Sequence, residues 1–228
     1  MPLVITRTVA LLALSFAMGA FALRWRAAQR RPLAAEPFLP RNGIRRAAPG
    51  GAAADRAPAK GSPQRGLLYA FTLGMAPWAK ESTRLHQLAY LRGIVFHGGI
   101  FTALAALLLS PIWSLLPKLL LYALAGAAAI GALCGVLGAL ARWFEPNLRA
   151  LSTPDDFASV LLVALFQGLT GIALLNPAWL PALYLSAALM LVYAPLGKIR
   201  HCIYFFFSRR FFGLFLGRRG LVQTEAGP

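Results

Sequence analysis

Five apolar stretches, each close to the length that crosses a bilayer, constrain this chain more than any other feature. A membrane-spanning helix needs roughly 20 mostly apolar residues. The stretches are 3–23 (LVITRTVALLALSFAMGAFAL), 93–113, 117–141, 157–175 and 180–207, the second entered by a helix starting near Ser82. Hydrophobic residues make up 58% of the sequence and charged residues only 13%, against about 25% charged in soluble domains. The mean hydropathy is +0.63. The expected fold is an all-α integral membrane protein, a five-transmembrane-helix bundle.

Charge sets the expected orientation. The net charge is +16, but no nucleic-acid recognition motif accompanies it, so nucleic acid is not an expected partner. Cytoplasmic loops of membrane proteins are enriched in Lys and Arg. Residues 24–92 carry thirteen Lys/Arg, the 142–156 loop carries Arg142 and Arg149, and the stretch from Lys198 onward carries six. Only Arg7 and Lys118 fall on the other side, so 21 of 23 basic residues share one side if the N-terminus is outside. That arrangement predicts a cytoplasmic C-terminus. Arg24, Arg26, Arg30 and Arg31 follow the first apolar core. A signal peptide carries its charge before the core, so a retained helix is expected. Trp25 and Trp143 are expected at the inner interface, Trp113 and Trp179 at the outer one.

The expected organisation follows. Residues 1–23 form the first crossing and 24–66 a disordered basic cytoplasmic loop rich in Pro, Ala, Arg and Gly. Its charge suits contact with anionic lipid. Residues 67–81 read as an interfacial segment, 82–207 as a four-helix membrane core and 208–228 as a basic cytoplasmic tail. Cys134 and Cys202 lie in apolar runs and are expected as buried thiols. There is no CxxC, which argues against an iron–sulfur or zinc site in this chain.

The chemistry-bearing residues are histidines. His97 sits in LRGIVFHGGIF on the second crossing and His201 in PLGKIRHCIYFFF on the fifth. Charged and ionisable groups at membrane depth are costly and usually functional. His97 lies five residues beyond Arg92, about 7–8 Å deeper at 1.5 Å per residue. With one helix continuing to about Phe207, His201 lies about 10 Å inside Ser208 by the same rise. Two histidines at similar depth on antiparallel helices suit the two axial ligands of one haem. Interhelical hydrogen bonding and a proton relay fit the spacing too. Gly93, Gly98, Gly99 and Gly197 would let a flat ring approach the backbone, or simply let helices pack. Arg92, Lys198 and Arg200 could pair with propionates or reach lipid headgroups. His86 is expected on the same helix face as His97, about 16 Å away, as an interfacial or partner-facing residue. Asp155 and Asp156 suit a helix N-terminus; proton release at a quinone site is the other reading.

Three patches resemble the cytochrome b (gamma) subunits of respiratory nitrate reductases and their relatives in sulfite-reductase-associated and heterodisulfide-reductase-like complexes. They are VFHGGIF around His97, STPDDFASVLLVALFQGLTG over 152–171, and PLGKIRH ending at His201. The resemblance covers roughly residues 82–220. It implies a bacterial or archaeal inner membrane, five helices, the N-terminus outside, and b haem between the second and fifth helices, with His97 and His201 as iron ligands. Family members hold a second haem through a histidine ten residues after the first, where this chain has Leu107. The start of the fifth helix, PALYLSA (181–187), also lacks histidine, and the outer connection is the short NPAW turn at 176–179. One haem b is therefore expected, with a ligand role for Met190 set aside.

The resulting expectation is an electron-transfer subunit of a quinol-linked oxidoreductase. It would carry electrons between the quinone pool and a cytoplasmic iron–sulfur or molybdenum subunit. Two alternatives stay open: a haem-free membrane anchor or assembly protein, and a small transporter using the histidines as a relay. Broken helices and duplicated halves, the usual marks of transporters, are not visible in the sequence.

Overall fold

A computed structural model describes residues 2–30, 61–79 and 84–220. Among these are helices and turns and no strand. α1 spans Leu3–Arg30, α2 Pro63–Phe71, α3 Gln87–Leu109, α4 Lys118–Phe144, α5 Pro154–Leu175, α6 Leu180–Tyr193 and α7 His201–Arg218. α1, α4, α5, and α3 with the 3-10 turn that carries it to Leu115 are long and apolar enough to cross a membrane. Pro177–Tyr193 and Lys198–Arg218 make a fifth if the broken pair forms one span. The chain has the helices of a multi-pass membrane protein. Most of the expected 24–66 loop lies outside the described residues.

The chain divides into two compact units, Met1–Ala22 with Glu81–Cys202 and Leu23–Lys80 with Ile203–Pro228. The core of the first is built largely from small residues. Gly99, Ala103 and Ala106 are buried on α3; Ala125, Ala128, Gly131, Gly135 and Ala139 are buried on α4. Their spacing of three or four residues puts each set on one helix face. In a bilayer, helices gain little from hiding apolar surface and associate by close packing over small residues. A Cβ added at Gly99 would lie 2.7 Å from Gly131 Cα and 2.2 Å from Gln167 Oε1. α3 and α4 therefore meet backbone to backbone, with Gln167 of α5 closing the junction. Phe166, Leu183, Ala187 and Leu191 fill the remaining core.

α5 begins with a defined cap. Pro154 occupies the first turn, where its missing N–H costs nothing. The Asp156 carboxylate accepts from the Thr153 N–H at 2.9 Å and from the Thr153 hydroxyl at 2.8 Å. The expectation that these acids cap a helix thus corresponds to a specific contact at Asp156.

The second unit is held by another glycine contact. Ser62 caps α2 by accepting from the Arg65 N–H at 3.4 Å. A Cβ at Gly66 would lie 2.0 Å from Gly213 O and 2.6 Å from Gly217 Cα, so α2 and α7 also cross on bare backbone. Aromatic rings surround the crossing: Phe71 meets Phe205 and Phe206, and Trp25 meets Phe207. They help line a cavity of about 670 Å³.

Several expectations change. The fifth stretch is not one helix to Phe207: α6 stops at Tyr193, a 3-10 turn covers Lys198–Arg200, and α7 restarts at His201. Pro195 explains the stop, because proline has no N–H and its ring clashes with the preceding turn. Helix continues past 208 to Arg218, where a tail was expected. His86 precedes the first residue of α3 in a non-helical conformation, so the shared helical face with His97 does not form. Trp113 is buried, and its indole N–H donates to Ala106 O at 2.9 Å; it ties the 3-10 turn to the end of α3. Cys134 is half-buried and Cys202 exposed, both as thiols.

Overpacking a close-packed contact costs typically 1–3 kcal/mol. Gly131→Ala should therefore lower the thermal unfolding midpoint in detergent by several degrees. Gly126→Ala, with nothing within 4 Å of the added Cβ, should leave it nearly unchanged.

Candidate functional site

His97 and His201 come together. Their ring centroids lie 6.3 Å apart with the planes at 83°. The sequence expectation paired them by depth on two continuous helices. The structure pairs them differently: His97 is deep within α3, whereas His201 opens α7 just after the break.

Both imidazoles are fixed through the same nitrogen. His97 Nδ1 lies 2.7 Å from Gly93 O, and His201 Nδ1 lies 2.8 Å from Lys198 O. A carbonyl only accepts, so each Nδ1 carries the proton and donates. Each neutral ring then presents Nε2 as a lone pair. Metal-bound histidines are commonly oriented in this way, the other ring N–H donating to a backbone carbonyl. Phe96 stands edge-on to His97 at 5.8 Å. Both histidines are exposed, and a Cβ added at Gly93 or Gly98 would meet nothing within 4 Å. The helix beside His97 therefore has an open flank.

The chemistry of this donor set can be tested against a metal centre. Among the described residues no group of three or more His, Cys, Asp or Glu could hold a metal ion. Two imidazoles alone suit a metal that brings its other ligands with it. Two nitrogen–metal bonds of about 2 Å, with each ring centre roughly 1 Å behind its nitrogen, put the centroids about 6 Å apart. The observed separation matches that span, and it also lies in the ordinary range for two rings in edge contact. Two imidazoles are a donor set that a haem accepts.

The expected cationic neighbours divide. Lys198 Nζ pairs with Asp156 Oδ1 at 2.5 Å, so its charge is engaged by a carboxylate. Arg200 is exposed, its guanidinium 3.5 Å from Leu196 O. Arg92 lies along α4, its Nε 3.6 Å from where a Gly138 Cβ would stand. Met190 is buried in the apolar core. Leu107, which stands where a second haem would need histidine, packs against that core.

Sequence reasoning gave no role to Tyr193 or Gln167 beside this site, and read Gly197 only as a small residue. Tyr193 donates to Asp155 Oδ1. Gly197 faces the Tyr193 ring, whose Cε1 would lie 2.3 Å from an added Cβ. Gln167 donates from Nε2 to Phe96 O at 3.4 Å, one residue before His97, while its buried Oε1 has no conventional hydrogen-bond donor. The signal for Gln167 was present as a polar residue in an apolar run; Tyr193 carries none without the fold, and Gly197 is visible without its contact to the Tyr193 ring.

The site is a histidine pair in an all-α multi-pass membrane protein. No protein-family model, curated protein or solved structure matches this chain.

Proposed function

We propose that this chain is a b-type cytochrome membrane subunit that passes electrons between the quinone pool and a cytoplasmic redox subunit. The observation that carries the reading is the pair of neighbouring imidazoles, each held through Nδ1 by a backbone carbonyl, with ring centroids 6.3 Å apart. The resemblance of VFHGGIF and PLGKIRH to nitrate reductase gamma subunits points the same way. One haem b held by two histidines would supply a one-electron iron couple and would suit electron transfer rather than oxygen chemistry. His97 and His201 are the ligands in this reading. Their Nδ1–H bonds fix the ring tautomer and orientation and raise ligand basicity. Arg200 and Arg92 are the cations assigned to propionates; Lys198 is held by Asp156.

The basic residues support an inner-membrane orientation with the N-terminus outside. The 142–153 turn and the C-terminus then face the cytoplasm, together with the long basic segment after α1. That face suits an acidic docking surface on an iron–sulfur or molybdenum partner and anionic lipid headgroups.

Three outcomes are expected. Reduced-minus-oxidised spectra of membranes carrying the wild-type chain with its operon partners should show a b-type band at one haem per chain. His97→Ala and His201→Ala should each remove it, while His86→Ala should keep it. Absence of haem from the wild-type protein would favour a membrane anchor or assembly protein. Reporter fusions at Ser152 and after Pro228 should report cytoplasmic locations, and one at Leu116 an outside location.

A further inference from the structure

The two histidines are supported unequally. His97 is held within a long helix and by its own Gly93 carbonyl. His201 hangs on a break in the fifth apolar stretch, and its Nδ1 partner, Lys198 O, belongs to the 3-10 turn in that break. Something outside the turn must hold Lys198 if His201 is to face His97.

The start of α5 supplies that hold. Asp155 Oδ1 accepts from the Lys198 N–H at 3.3 Å, from the Tyr193 hydroxyl, and from Ser159 Oγ at 3.4 Å. Asp156 Oδ1 takes the Lys198 ammonium. Tyr193, the last residue of α6, lies against Gly197, where any side chain would collide with its ring. A single residue therefore joins two contacts: the Lys198 N–H donates to Asp155, and the Lys198 carbonyl accepts from the His201 Nδ1–H.

We propose that Asp155, working with Tyr193, is a positioning residue for His201. It fixes the Lys198 turn so that the His201 ring keeps its Nδ1–H tautomer and its place opposite His97. The acid acts through the backbone and does not itself touch the metal. This rests on the bis-histidine reading for its effect on haem, but the tautomer claim stands apart from it.

The experiment uses the full-length protein in detergent with ¹⁵N-labelled histidine, with and without haem. Wild-type protein before haem loading should show His201 as the Nδ1–H tautomer. Asp155→Ala and Tyr193→Phe should shift His201 toward a mixture while leaving His97 unchanged. Asp155→Asn, which keeps an acceptor oxygen for the Lys198 N–H, should restore the wild-type pattern. Loss of a partner that orients a metal-bound histidine costs 10–100-fold in affinity. Haem retention should therefore fall about 10-fold or more in Asp155→Ala, with a displaced midpoint potential in the haem that remains, and recover in Asp155→Asn. An unchanged His201 tautomer in both Asp155→Ala and Tyr193→Phe would overturn the proposal, whatever the haem result. Wild-type protein that shows the tautomer shift on mutation but never binds haem would keep the positioning role and discard the cytochrome reading. Tyr193→Phe removes a hydroxyl alone, so the comparison survives if Asp155→Ala does not fold.

Discussion

The arrangement of this protein depends on a rule of the bilayer: a backbone polar group without water must find its partner inside the protein. Uninterrupted helices meet the rule alone. The fifth apolar stretch does not, because Pro195 ends α6 and leaves a turn to be satisfied. The carboxylates at the head of α5 meet part of that demand. Asp155 takes the Lys198 N–H and Asp156 the Lys198 ammonium. The same acids begin a helix, where negative charge is favoured. One polar cluster thus serves a helix start and a helix break.

The cluster also explains why a charged interruption is tolerated within an otherwise apolar stretch. Lys198 is paired, and Lys198 O is used by His201. The break redirects the chain just before His201, and the carboxylates at the head of α5 take part of the polar demand of its irregular backbone. On α3, Gln167 reaches the Phe96 carbonyl, one residue before His97.

Much of this was legible in the sequence, and the failures share a cause. Hydrophobic length located the helices, because a bilayer demands it whatever the helices pack against. His97 and His201 stood out as ionisable residues in apolar runs. The depth argument brought them together for an incomplete reason, since it assumed a fifth helix running through to Phe207. Pro195 and Gly197 were visible, yet their effect depends on Tyr193 and Asp155 being within reach, and that is a tertiary fact. The packing of Trp113 shows the same dependence. Tryptophan favours interfaces, but here a backbone carbonyl at Ala106 takes its N–H inside the protein. The role of Lys198 also changed once Asp156 was seen beside it.

The junction of Gly99, Gly131 and Gln167 has a consequence for how such a chain could vary. Gln167 Oε1 points at the two glycine backbones, close to where their side chains would begin. Cα–H groups are weak donors to such an oxygen, and they exist in this position only because both residues lack a side chain. Enlarging Gly99 or Gly131 alone overpacks the junction at a cost in stability. A bulkier residue at 99 or 131 fits without that cost after 167 has shrunk and the helices have moved apart. The three positions therefore form one unit of variation, in which the order of substitutions decides whether each intermediate still packs.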